Sequence, residues 1–110
     1  MKLLTAELLK KLPTLDATAE TPIAESKVVA KFFNPCGGGT WFATAYDPKE
    51  KLFFGFVTLG DAEMAELGYF SLEELEGLRL RGGLRVERDR FFKEMPLQEV
   101  MDAIHSGKHI

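Results

Sequence analysis

The chain has 110 residues, 45% of them hydrophobic and 28% charged, with a formal net charge of -3 and a pI near 5.4. That balance excludes disorder, and the acidic pI excludes a protein that grips duplex DNA through its overall charge. No apolar run reaches the ~20 residues of a membrane span, so no membrane role is expected.

A chain of this length reads as one domain, residues 1–110, able to take roughly 65% of its unfolded surface out of water. Thr5, Glu7, Lys10 and Lys11 interrupt the first leucines, which predicts no signal peptide. The lone cysteine, Cys36, permits no internal disulfide, and a reducing cytoplasm is expected.

Residues 5–12 read as a short helix: Thr5 is the cap, Leu4, Leu8 and Leu12 form one stripe, and Leu9 widens it. Pro13 ends it by removing a donor and crowding the preceding turn. Residues 14–26, with Pro22 and no periodicity, read as a mobile surface loop. Residues 28–59 are the organising stretch, because they hold Phe32, Phe33, Trp41, Phe42, Tyr46, Phe53, Phe54 and Phe56.

Two turn signals, residues 34–39 and 47–50, divide that stretch into three strands of an antiparallel meander. The first strand, residues 27–33, sets Val28, Ala30 and Phe32 against Val29, Lys31 and Phe33. The second, residues 40–46, sets Trp41, Ala43 and Ala45 against Phe42, Thr44 and Tyr46. The third, residues 52–59, sets Phe54 and Phe56 against Phe53 and Val57. Neither face is polar. Helices must therefore cover both, or one face is left as an apolar patch for a partner.

Residues 66–70 suggest a further short strand. Ser71-Leu72-Glu73-Glu74 is a capping box, and Phe70 with Leu75 completes a hydrophobic staple on a short helix that Gly77 and then Gly82-Gly83 stop. Residues 84–89 alternate as a strand with Leu84 and Val86 inward. A last helix opens at Pro96, with Leu97, Val100, Met101 and Ile104 on one stripe and Gly107 as its cap. The expected class is α+β: a meander of three to five strands with an N-terminal, a short central and a C-terminal helix.

Charge is segregated along the second half. Asp61, Glu63, Glu66, Glu73, Glu74 and Glu76 occur with no basic residue through Leu78, and Arg79, Arg81, Arg85, Arg88, Arg90 and Lys93 follow. Two solvated faces that pair loosely account for this at about 0–1 kcal/mol per pair. A sharper reading makes Arg85, Arg88, Arg90 and Lys93, beside Phe91 and Phe92, a seat for phosphates and stacked bases.

Glu87 and Asp89 share one strand face and, with a third oxygen from Asp47 or Asp61, would suit Mg²⁺ or Mn²⁺. The same acids read equally as surface partners of the neighbouring arginines. Asp16 with Glu25-Ser26-Lys27 fits only the loosest nuclease pattern of common residue types. Cys36 beside three glycines could face an oxyanion nest, but the histidines that would activate it, His105 and His109, lie at the far end of the chain. Asp102, His105 and His109 have helical ligand spacing, which Gly107 interrupts. No catalytic set, metal site or cofactor is expected from these residues.

Met1-Lys2-Leu3-Leu4-Thr5, Trp41 to Pro48, Leu52-Phe53-Phe54-Gly55, Leu67 to Leu72 with Leu75, and Glu87-Arg88-Asp89 before Phe92 carry a resemblance. Together they resemble a small bacterial family of unknown function, typical of plasmids, integrative elements and phages. Some members of it bear the label single-stranded DNA endonuclease. Relatives often have an acid where this chain has Ala45, so the resemblance weakens a metal site near Asp47. It implies a mobile-element setting, in which small acidic proteins often inhibit restriction or CRISPR nucleases.

The leading expectation is a non-enzymatic binding module for a protein or nucleoprotein partner, acting through Asp61, Glu63, Glu66, Tyr69, Glu73 and Glu74. A metal-dependent nuclease on Glu87, Asp89 and Asp47, or a small DNA-binding accessory protein, is the alternative.

Overall fold

Thr5 does open the first helix: its hydroxyl accepts from the Leu8 N–H at 3.2 Å, and α1 runs Ala6–Lys11. Leu12 is buried and Leu4 and Leu8 pack beside it. Leu9, expected on that stripe, is 44% exposed, because one turn and a half of helix offers the core only one narrow face. The computed structural model describes residues 2–108 and 110.

Residues 14–26 are not irregular. Thr14 caps α2, Leu15–Thr18, and a 3₁₀ turn occupies Ile23–Glu25. The segment is tied at both ends, by Tyr46 N–H to the Pro13 carbonyl and by Leu97 N–H to the Ser26 carbonyl, each at 2.9 Å. Each helix is too short to display a 3.6-residue period, which is why the sequence reads as loop.

The first strand is two. β1, Lys27–Val28, pairs with β7, Met95–Pro96, while β2, Ala30–Phe33, joins the main sheet. The chain changes face at Val29, whose N–H donates to the Ala43 carbonyl at 2.8 Å. Val28 therefore packs on the opposite side from Ala30 and Phe32, against the expectation that alternation carries straight through.

β3, Thr40–Asp47, and β4, Leu52–Thr58, form the central hairpin, and β5, Glu66–Ser71, adds to β4. With β6, Glu87–Arg88, the main sheet is antiparallel in the order β5-β4-β3-β2-β6. Asp47 builds the hairpin turn by accepting from the Lys49 N–H at 2.9 Å. A β-bulge at Thr44 shifts the register between Ala43 and Ala45. The extra residue returns Tyr46 to the side of Trp41, not of Phe42 as strict alternation predicts.

Beside the bulge sits Gly55, where an added Cβ would meet the Phe42 carbonyl oxygen at 1.7 Å. Only glycine permits that approach of β3 and β4.

Both faces of the sheet are covered by the chain itself. On one, Phe53 is surrounded by Phe32, Tyr46 and Phe70 at ring-centroid distances of 5.3, 4.7 and 5.2 Å. Leu3, Leu12, Val86 and Leu75 of α3, Leu72–Gly77, close that side. On the other, Leu97 and Val100 of α4, Leu97–His105, seal Phe42, Phe56 and Val28. The expectation that the aromatic ribbon outruns its helices fails at these rings: α1, α3 and the leucines around them close the first side, and α4 the second.

Ser71 accepts from the Glu74 N–H at 3.2 Å, the serine half of the capping box, and Phe70 joins Leu75 in the first cluster, as the staple requires. The strand expected over residues 84–89 shrinks to β6. Val86 is buried but Leu84 is 46% exposed, since Gly82 and Gly83, at φ 73° and 78°, turn the chain away just before it.

Candidate functional site

The sheet has two free edges of opposite character, and a cleft opens on the α4 side. At the first edge, β5 carries Glu66 and an exposed Tyr69, whose ring meets Phe54 edge-on at 5.1 Å. The connection leading into β5 holds Asp61, which accepts from the Glu63 N–H at 2.9 Å and so opens the 3₁₀ turn Ala62–Met64. The helix leaving β5 carries Glu73 and Glu74 in its first turn, where the helix dipole favours them.

The six acid-edge residues named from the sequence thus follow β5 and its flanks, and Asp61, Glu63, Glu66, Tyr69, Glu73 and Glu74 are all exposed. Among the described residues Glu73 is the one of these acids within ion-pair distance of a cation, Lys51, at 3.4 Å.

The acid field reaches the core. The Tyr46 phenol is held above its ordinary pKa, first by burial and then by the charges of Glu76, Asp47 and Glu73.

The second edge, β6, is short and knotted to its neighbours. Asp89 pairs with Lys31 at 3.5 Å, receives the Phe91 N–H at 2.9 Å, and donates its own N–H to the Lys31 carbonyl at 2.9 Å. Arg88, Arg90 and Lys93 line a hollow of about 370 Å³ with Lys11, shared with the acids Glu7, Asp89 and Glu94. Arg88 and Arg90 line another of about 280 Å³ beside Phe91, which is 87% exposed. Arg85 does not join them, because its Nη1 donates to the Glu76 carbonyl at 2.9 Å.

Asp47 is remote from Glu87 and Asp89. Arg88 pairs with Phe32 and Phe32 with Trp41, and Asp47 lies at the other end of β3. At ~3.3 Å per residue that is roughly 20 Å. Asp61 lies beyond the end of β4, about three strand spacings of ~4.8 Å across the sheet. Among the described residues no three His, Cys, Asp or Glu side chains gather as a ligand set, so neither Asp47 nor Asp61 completes a Mg²⁺ or Mn²⁺ site with Glu87 and Asp89.

Cys36 is exposed, with its Sγ 3.5 Å from the Arg81 carbonyl, and belongs to the β2–β3 turn in which its N–H donates to Asn34 Oδ1 at 2.7 Å. His105 stands edge-on to Phe56 at 5.7 Å and Asp102 accepts from Gln98, so neither meets the thiol; His109 lies outside the described residues.

The cleft is the feature that sequence reasoning missed. It encloses about 520 Å³ over Thr44, Phe54 and Leu67, with Tyr69 on one side and Leu15 and Ile23 on the other. Its floor is the bulge: Thr44 donates its hydroxyl to the Phe54 carbonyl at 3.0 Å. Glu25, Ser26 and Lys27 line it, but Asp16 does not, so the loose nuclease pattern is not assembled. The one signal available was the aromatic excess on β4 and β5, because the wall comes from the aperiodic residues 13–27.

Among the described residues no helix is long and apolar enough to cross a membrane. Over residues 3–110 the chain matches the family described as protein of unknown function (DUF2958), and it belongs to that family. No curated protein and no solved structure matches the chain.

Proposed function

We propose that this family member is a non-enzymatic binding module, which docks on a basic protein or nucleoprotein through the acidic edge at β5. One observation carries the reading. Leu59, Met64 and Tyr69 are 72%, 75% and 66% exposed in the same stretch as Asp61, Glu63 and Glu66. Large apolar side chains bordered by charge are the pattern of an interface core with a polar rim. A mobile-element setting in the cytoplasm, with a host-defence target of anti-CRISPR or anti-restriction kind, rests on the motif resemblance and remains part of the proposal.

Affinity capture from the native host tests it. Tagged wild-type protein should recover a partner that a variant with Asp61, Glu63, Glu66, Glu73 and Glu74 reversed to lysine does not. Equal recovery by both overturns the reading.

The exposed Phe91, which lines the hollow of about 280 Å³ together with Lys31, Arg88 and Arg90, favours a second reading, binding of single-stranded nucleic acid at β6. Steep salt dependence of single-stranded DNA binding supports it. Loss of DNA with Mg²⁺ or Mn²⁺ present, abolished by Glu87→Ala with Asp89→Ala, would add cleavage; intact DNA removes the nuclease alternative.

A further inference from the structure

We infer that the outer edge of β5 receives an extended, lysine- or arginine-rich segment of the partner as an added antiparallel or parallel strand. This rests on the docking reading above and names the chemistry of the occupant. β5 closes the sheet order on its side, so alternate N–H and C=O groups of residues 66–71 point away from β4. Proteins usually blunt such an edge with charge, proline, a bulge, shortness or a covering segment. β5 carries a single charge, Glu66 at its start; it is six residues long, contains neither lysine nor proline, and keeps unbroken register with β4.

Charge selects the occupant. Residues 61–78 contain no cation, and Glu66, Glu63 and Glu73 lie along or beside the edge. A second copy of the chain would bring the same acids against themselves, and a nucleic acid would add its own negative charge. A basic strand meets opposite charge along its length, and the Tyr69 face offers its cations a ring.

Three short labelled peptides test the inference against the full chain: alternating lysine and threonine, the same lysine–threonine sequence with every backbone nitrogen methylated, and alternating glutamate and threonine. Strand addition predicts that the unmethylated lysine–threonine peptide binds and slows exchange of the β5 amides, while the glutamate–threonine peptide does not bind. The methylated lysine peptide, equally charged but without backbone donors, should bind at least about tenfold weaker. Equal binding of the two lysine peptides overturns strand addition and leaves the acidic docking surface standing. Failure of both overturns strand addition too, while the capture experiment separately decides the docking reading. Concentration-dependent dimers that protect β5 would instead make a second copy the occupant and overturn the basic strand.

Discussion

The two edges of one sheet have been finished in opposite ways. β6 is two residues long, and Asp89 pins the chain just after it by pairing with Lys31 and receiving the Phe91 N–H. β5 is three times that length, keeps perfect register, and leaves its charges to solvent. The contrast teaches that exposure of charge alone does not mark a site. The arginines near β6 share their hollows with Glu87, Asp89 and Glu94, whereas among the described acids near β5 Glu73 alone has an ion-pair partner, Lys51.

Breaking the frame that holds both edges should have the largest effect. Gly55→Ala forces β3 off β4 and should cost about 3 kcal/mol, read as a lowered urea midpoint and loss of order at β5 and β6 alike. Asp89→Ala acts on one edge only. It removes the Lys31 ion pair, leaving that ammonium on the Ile110 carbonyl and over the Phe33 ring, and frees the Phe91 N–H. A loss of about 1 kcal/mol is expected, with hydrogen exchange quickened at β6 but not at β5.

A gentler variant sharpens the other side. Glu73→Gln with Glu76→Gln should lower the Tyr46 pKa part of the way, because burial, the larger cause, remains; ultraviolet titration of the phenolate reads this.

The smallest effect is on stability at high pH. Since the folded phenol keeps its proton beyond the ordinary ~10, that stabilisation is full below pH ~10 and is lost as pH rises through the folded value. Tyr46→Phe should flatten this alkaline decline, measured by urea unfolding at stepped pH.

Much of this frame was legible in the residues. The meander follows from its β-branched and aromatic runs and from Asp47-Pro48, and the Ser71 cap with the Phe70–Leu75 staple needs only short-range chemistry. What escaped involves geometry that alternation cannot carry. A single extra residue, Thr44, moves Tyr46 across the sheet, and the break at Val29 does the same to Val28. Covering of both faces depends on where α1, α3 and α4 dock, and the cleft depends on residues 13–27, whose turns are shorter than any helical period. Of the site, the acids were readable as a block of charge. Their alignment along an edge strand was not, because nothing local tells a terminal strand from an inner one.

The turn that carries Cys36 has a practical corollary. Gly38 abuts Gly60 so closely that an added Cβ would sit 2.7 Å from the Gly60 Cα, which seats the β2–β3 loop against the approach to the acidic connection. The chain's lone thiol, already exposed, is therefore a ready anchor for a fluorophore near that border, with no residue to mutate first.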